Sequence, residues 1–252
     1  MSRRRTRFRC ALALALTCIL LLGSGSGAWA EDPLSLEEVR KRSLPLRTAL
    51  HHDPTLGSPL ERLLELYRKA DRVEELVAVY RSHLQSYPAD LSARTVYARL
   101  LLETNDPEGP REVRSAVERH PDNGFLQYLL YTLLDDAGDR RALEALDKAV
   151  ELETLPTRKR RWIEQLLTQA LEEDRRDLAA KHLSALAPLL GGGAEAHLGA
   201  ARKMQAFGFH ERALKELEAA RKAQPAPERG VEIELLASSL ELALGRRAQA
   251  AA

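Results

Sequence analysis

The residues able to do chemistry are few, and their spacing does not suit a reaction. His51-His52-Asp53 is the densest group of metal-ligating side chains in the chain. Adjacent histidines on a helix point to different sides and no third ligand is placed to join them, so the group reads as a solvated helix end. His83, His120, His182, His197 and His210 are scattered, and His83 falls at a packing position, where it reads as a partly buried spacer rather than a base. Asp135-Asp136 and Glu172-Glu173-Asp174 carry the groups general acid–base catalysis uses. Both lie at helix ends beside turns and read as solvated turn residues. Arg158-Lys159-Arg160-Arg161 faces acidic neighbours and reads as a locally paired surface, with contact to an anionic polymer or lipid surface as the alternative. The chain has no Gly-x-x-x-x-Gly-Lys loop, no Gly-x-Gly-x-x-Gly turn and no His-Glu-x-x-His helix, and no Gly-x-Ser-x-Gly elbow between a strand and a helix. The expectation is therefore no enzyme, no cofactor and no metal.

The elements around these residues follow from composition and periodicity. Of 252 residues, 44% are hydrophobic and 30% charged, which is ample for a core and excludes disorder throughout. Basic and acidic residues number 38 and 37, so no field exists for wrapping nucleic acid. Arg3, Arg4, Arg5, Arg7 and Arg9 precede the apolar run Ala11 to Leu22. As a helix that run spans roughly 18 Å, short of the ~30 Å hydrocarbon core of a bilayer. Gly23 to Gly27 then breaks it, and Ala28-Trp29-Ala30 supplies small residues three and one positions before a cut, so residues 1–30 read as a signal peptide cleaved after Ala30. The mature chain then has 33 basic and 37 acidic residues, a net of −4, and neither Cys10 nor Cys18. Asn105 and Asn123 open no glycosylation sequon, and the Ala/Leu/Arg-rich composition suggests a bacterial envelope protein, periplasmic or secreted, with no stable membrane anchor after cleavage.

From about Pro59 apolar residues recur every three to four positions in segments of about 10–16 residues, with short breaks of Pro, Gly, Asp and Asn, which predicts antiparallel helices and no strand. A triplet spaced four then three recurs in the second helix of each pair. It appears as Leu76/Tyr80/His83, Gly109/Val113/Ala116, Ala142/Leu146/Ala149, Ala179/Leu183/Leu186 and Ala213/Leu217/Ala220. The first members lie 33, 33, 37 and 34 residues apart, and Pro88, Pro121, Pro156, Pro188 and Pro225 follow in turn. A small first member lets two helices approach, the second fills the space between pairs, and proline ends the helix. Gly191-Gly192-Gly193 lengthens one break and reads as a long turn between units, with a hinge as the alternative.

These residues resemble the tetratricopeptide repeat, a helix-turn-helix unit of about 34 residues. The strongest match is Ala200-Ala201-x-x-Met204, Gly208, Ala213-x-x-x-Leu217-x-x-Ala220 and Pro225, followed by Gly138-Asp139 with Ala142 to Ala149 and by Leu60-x-x-Leu63-Leu64-x-x-Tyr67. Leu64 and Tyr131 stand where the family has Gly or Ala, and Gly109 where Ala is usual. The resemblance implies an all-α, right-handed superhelical solenoid of antiparallel helix pairs, with about five repeats and a terminal partial one. Residues 58–252 form this solenoid, and 31–57 its N-terminal capping helices and linker. There Ser35-x-x-Glu38 opens a short helix through Arg42, and Leu46 to His52 reads as the tail of a repeat. Val231 to Leu244 reads as a first helix, with a second beginning at Gly245.

In this family the first helices line a concave surface that receives peptides or partner helices. Carried over by position, the candidates are Glu61, Glu65, Arg68, Thr95, Arg99, Tyr128, Thr132, Arg202 and Gln205, with Asp135 and Glu195 beside them. Their mixed signs disfavour a strongly charged ligand, and Glu61 and Glu65 occupy places where the family's carboxylate-binding clamp has Lys and Asn. Tyr128 is the aromatic anchor, with inter-helix packing as its alternative role. The expected function is a non-enzymatic interaction scaffold in the bacterial envelope whose partner is a protein or peptide. The alternative is a recruitment module, cut from a larger exported enzyme or polymer-export assembly.

Overall fold

The computed structural model describes residues 35–183 and 185–246, within the compact unit Leu34–Ala252. The predicted signal segment and its cut after Ala30 lie outside the described residues, as does the chain after Arg246. Among the described residues every regular element is a helix. After α1 (Leu36–His52) the chain forms α2 (Gly57–Lys69), α3 (Val73–Ser86), α4 (Leu91–Glu103), α5 (Gly109–Arg119), α6 (Gly124–Asp136) and α7 (Ala142–Leu152). It continues with α8 (Pro156–Glu172), α9 (Arg176–Leu183), the single turn α10 (Leu186–Leu189), α11 (Gly193–Ala206), α12 (His210–Lys222) and α13 (Pro227–Ala243). Each first helix packs on its own second helix, as α2 on α3, α4 on α5, α6 on α7, α8 on α9 and α11 on α12. The second helix then packs on the next first helix, as α3 on α4, α5 on α6, α7 on α8 and α12 on α13. This is the all-α helical-repeat solenoid expected from the spacing, built by stacking because one pair cannot bury its own apolar face.

Two stop signals recur along it. α2, α4, α6, α8, α11 and α13 each end on a left-handed residue, namely Asp71, Asn105, Gly138, Asp174, Gly208 and Gly245. The next N–H in each case bonds back to the carbonyl five residues earlier, from Arg72 to Tyr67, Asp106 to Leu101, Asp139 to Leu134, Arg175 to Ala170, Phe209 to Met204 and Arg246 to Glu241. That closure turns the chain tightly into the second helix and satisfies a carbonyl the helix end leaves open. α3 and α5 stop differently, at Tyr87 and His120, which leave the helical region just before Pro88 and Pro121; α7 ends at an extended Glu153, and Pro156 opens α8 instead. The first kind of turn joins the helices of one pair and the second joins α3 to α4 and α5 to α6, while the link from α12 to α13 passes through the left-handed Gln224 before Pro225.

The triplets are the packing seam. Leu76, Val113, Ala116, Ala179, Leu183, Ala213, Leu217 and Ala220 are buried, as are Gly109, Ala142, Leu146 and Ala149. At Gly109 an added Cβ would lie 3.2 Å from the Leu101 carbonyl carbon, so α5 approaches α4 more closely than an alanine fits. Gly124 is equally tight, 3.2 Å from backbone atoms of Ala149, Leu152 and Glu153. His83, the third member of its triplet, is half-exposed and bonded to Asp90 at the start of α4.

Three expectations need correction. α1 is one helix running through Pro45, not a short helix and a separate tail. Ser35 does accept from the Glu38 N–H, but the Glu38 carboxylate pairs with Arg42 one turn on, which favours continuing the helix. Pro45 removes one N–H at an exposed position, where water can take the carbonyl left over. α1 packs on α2 and α4 and buries Val39 and Leu50, as a second helix would, and so covers the first pair. The fourth triplet is split, for Leu186 belongs to α10 rather than α9, yet remains buried where α10 packs between α8 and α11. Gly191, Gly192 and Gly193, all at positive φ, form the long turn that leads from α10 into α11. Thr95, expected on the concave face, is instead buried in α4.

Candidate functional site

A cleft of about 760 Å³ opens between the first helices α4 and α6, closed at one end by the turn leading into α5. α4 contributes Arg99, Leu102 and Glu103, the turn Asp106 and Pro107, and α6 Phe125, Tyr128, Leu129, Thr132, Leu133 and Asp136. The helix-pair geometry explains the gap. Asn123 caps α6 through the Leu126 N–H and Asp90 caps α4 through Ala93, so both helices start in the same register and present the same face. α5 starts at Gly109-Pro110, and the turn before it supplies Asn105, Asp106 and Pro107 to the cleft wall.

The floor is apolar, and the rim carries Glu103, Asp106 and Asp136 against Arg99. No His, Cys, Ser or Lys lines the cleft. What it offers is apolar and aromatic contact with a few charges at the edge. Among the described residues, no group of three or more His, Cys, Asp or Glu is arranged to hold a metal ion, and no helix is long and apolar enough to cross a membrane.

Much of the wall is fixed by the protein itself. Tyr128 stacks on Trp162 of α8 with ring centroids 4.5 Å apart and planes 9° from parallel. The two stand 34 positions apart, one repeat, so each occupies the same place on consecutive first helices. Phe125 lies between two guanidinium groups, those of Arg99 and Arg158, each 5.5 Å from its ring centre. Arg158 also pairs with the buried Glu153, whose carboxylate accepts from the Thr154 and Leu155 N–H groups at 2.8 Å. Arg158 is therefore held by one buried acid and two rings, and Arg160 pairs with Glu164, as a locally paired surface requires. Beneath the wall, Gln165 and Gln169 donate to the Tyr131 hydroxyl at 2.8 and 2.6 Å, and Tyr131 donates to Asp135 at 3.3 Å. Burial pushes the Tyr131 phenol up to about 12, so it stays a donor.

Arg99, Tyr128 and Thr132 are thus brought together in one cleft. Arg99 is also a brace, donating from one guanidinium nitrogen to the carbonyls of Pro54 at 2.6 Å and Leu56 at 2.9 Å in the turn between α1 and α2. Burial lowers its pKa, though a guanidinium keeps its charge. Thr132 is half-buried and donates to the Leu129 carbonyl. Thr95 is a correction: it is 1% exposed and donates to the Leu91 carbonyl, so it faces the core and cannot meet a partner. Its place one turn before Arg99 is turned inward because α4 carries helices on several sides, α1, α3 and α5. Arg68 reaches the Glu103 carbonyl at 3.2 Å from α2, and Glu65 pairs with Lys69. Glu61, Glu65, Arg68, Arg202 and Gln205 do not line this cleft. Arg202 pairs with Glu232, and Glu195 with Arg229. Phe125, Leu102 and Leu133 are the wall and floor residues that position-by-position reading missed, together with Trp162, which backs Tyr128. The 34-residue step from Tyr128 to Trp162 was the available signal.

Several side-chain contacts between neighbouring pairs repeat at the same interval. Gln165 meets Tyr131, Gln169 meets Asp135 and Lys181 meets Asp147, each 34 residues apart, while His182 meets Asp147 and Arg246 meets Glu211 at 35. No family model matches the chain, and no curated protein matches it. Solved structures of similar fold include a tetratricopeptide repeat protein from Parabacteroides merdae, 17% identical over 85% of this chain and 84% of that one, with a TM-score of 0.40. YrrB, described as a TPR protein with an unusual peptide-binding site, is 21% identical over 75% of this chain and 97% of its own, with a TM-score of 0.41. The MamA protein is 18% identical over 64% and 86%, with a TM-score of 0.37. By its own 33-to-37-residue triplet spacing and its helix order, the chain is an all-α helical-repeat solenoid, the fold that its resemblance to tetratricopeptide repeats implies.

Proposed function

We propose that this protein is a non-enzymatic protein–protein interaction scaffold of the bacterial envelope, and that it binds a peptide or partner helix in the cleft between α4 and α6. The observation that carries this reading is the cleft itself, apolar in its floor, rimmed by charge and set between consecutive first helices. Tyr128 and Phe125 are held by stacking before any partner arrives, so binding costs little ordering entropy. The export part of the proposal rests on the arginine-rich, apolar and small-residue pattern of residues 1–30.

A photo-crosslinking residue at Leu133, introduced in the native host, tests the site. The expected result is a discrete adduct with a protein of the envelope fraction, absent when the probe stands at the exposed Leu44 on α1. Equal labelling at both positions, or none at Leu133, overturns the groove. N-terminal sequencing of the protein recovered from that fraction tests export: a start at Glu31 supports it, and a start at Met1 in the cytoplasmic fraction refutes it.

One observation favours the second reading, a recruitment module of a larger exported enzyme or polymer-export assembly. Val231, Leu235 and Leu242 leave an exposed apolar stripe along α13, the kind of face on which further helices stack in a repeat array. Coding sequence that continues in frame past Ala252 supports that reading, and a stop codon there counts against it.

A further inference from the structure

A second cavity, of about 160 Å³, lies between α1, α3 and α4, away from the cleft. Leu50, Val79 and Val96 give it an apolar floor, and Arg47, His51 and His83 a polar wall. Most charged groups in this part of the chain have partners. Asp90 caps α4 through the Ala93 N–H at 2.9 Å and accepts from His83 Nε2 at 2.8 Å, with His51 Nδ1 4.0 Å from the same oxygen. Arg47 differs. Its Nε is buried without a hydrogen-bond partner, and among the described residues its guanidinium forms no ion pair. Its charge acts on the neighbouring Tyr80 phenol, which burial pushes up to about 12 and so leaves uncharged.

A buried N–H with no acceptor is a cost to the fold; Arg47 is half-buried, only its Nε is enclosed, and an anion of matching shape on the guanidinium would satisfy it. A guanidinium fork matches the planar, two-oxygen edge of a carboxylate. Ser92 and Ala93 of the first turn of α4 complete the wall, and the Asp90 carboxylate that caps this turn is itself taken up by the Ala93 N–H and His83. Volume limits what is attached to the carboxylate. An apolar cavity of about 150 Å³ in another protein takes one benzene molecule, so 160 Å³ suits a single ring or a short branched chain.

We propose that this cavity binds a small carboxylic acid, its carboxylate on Arg47 and its one-ring or branched aliphatic body against Leu50, Val79 and Val96. The site is separate from the groove between α4 and α6, and does not depend on what that groove binds.

Titration calorimetry of the purified protein with benzoate, benzamide and inorganic phosphate tests it. Benzoate is expected to bind one to one. Benzamide, which lacks the charge, and phosphate, which lacks the body, are expected to bind at least about tenfold more weakly. Arg47→Gln is expected to weaken benzoate at least about tenfold as well. Val79→Phe fills the cavity while leaving Arg47 in place, and is expected to remove binding even if Arg47→Gln fails to fold. Acetyl-glycyl-phenylalanine, as free acid and as amide, separates two sources of the same chemistry. Preference for the free-acid peptide over benzoate identifies a chain terminus, and preference for benzoate a free small acid. The proposal is overturned if benzoate shows no binding at millimolar concentration. It is equally overturned if benzamide binds as well as benzoate, or if folded Arg47→Gln and Val79→Phe both bind unchanged.

Discussion

Replacing Gly109 with alanine puts one methyl group where α5 meets α4. The new Cβ would stand 3.2 Å from the Leu101 carbonyl carbon and 3.4 Å from its oxygen and Cβ. Leu101 is fully buried within α4, so these atoms cannot swing aside as an exposed side chain tip would. Forcing a methyl into such packing costs about 1–3 kcal/mol. Alanine recovers up to about 1 kcal/mol of chain entropy relative to glycine, and less in the first turn of a helix, where Gly109 lies. The expected balance is a loss of about 1 kcal/mol. Gly199→Ala is the internal control, because its Cβ meets only the Leu190 side chain at 3.7 Å, within α11. There the entropy gain stands alone and stabilises by about 0.5–1 kcal/mol. Urea unfolding followed by helical circular dichroism measures both. Repeat arrays can unfold in more than one step, so midpoints are compared only where the slope is unchanged. Opposite signs bear out the close approach of α5 to α4. A Gly109→Ala protein as stabilised as Gly199→Ala refutes the packing role of the triplet's first member.

Tyr128→Ala removes the stack on Trp162 and is expected to destabilise by about 2–3 kcal/mol in chemical denaturation. Tyr128→Phe keeps the ring and loses only a long 3.4 Å hydrogen bond to Gln165, so it is expected to stay within about 0.5 kcal/mol of wild type. Asp174→Gly relieves a left-handed aspartate at φ 56° and is expected to raise stability by about 1 kcal/mol, read as a higher thermal midpoint. Arg99→Met frees the Pro54 and Leu56 carbonyls and is expected to cost about 1–2 kcal/mol, with faster amide exchange over residues 53–58. Asp90 titrates below the ordinary carboxylate value, since the Ala93 N–H and His83 outweigh the upward push of burial. Its contribution is therefore full above about pH 4 and is lost as the pH falls through its lower folded value. Asp90→Asn keeps the cap but removes the charge, so its acid unfolding curve is expected to fall less steeply than wild type.

The solenoid was legible because its signals are local and repeated. Small residues at Ala142, Ala179 and Ala213, and prolines at Pro88, Pro121 and Pro225, recur at an interval that a helix pair imposes. The turn inside each pair was less visible, since Asp71, Asn105 and Asp174 take a left-handed conformation more commonly given to glycine. The continuity of α1 through Pro45 was not legible either, because a proline is tolerated inside a helix where its turn faces water. The site was harder to read. Position in a repeat says which side of a helix a residue occupies, but not how many helices surround it. Thr95 and Arg99 are one turn apart on α4, yet one is buried and the other braces a distant turn. Cross-repeat partners such as Trp162 and Gln165 depend on stacking, which a single repeat does not encode.

Arg99 and Tyr128 support the fold as well as the cleft, so substitutions there would confuse loss of binding with loss of structure. Leu133→Arg changes the half-buried floor of the cleft without removing a brace or a stack. The most direct test is therefore affinity capture from the native envelope with wild-type and Leu133→Arg protein, both checked for equal helicity. The account predicts that a specific partner is retained by wild type and lost, or reduced at least about tenfold, with Leu133→Arg. The same partner recovered at the same yield by both proteins would contradict it.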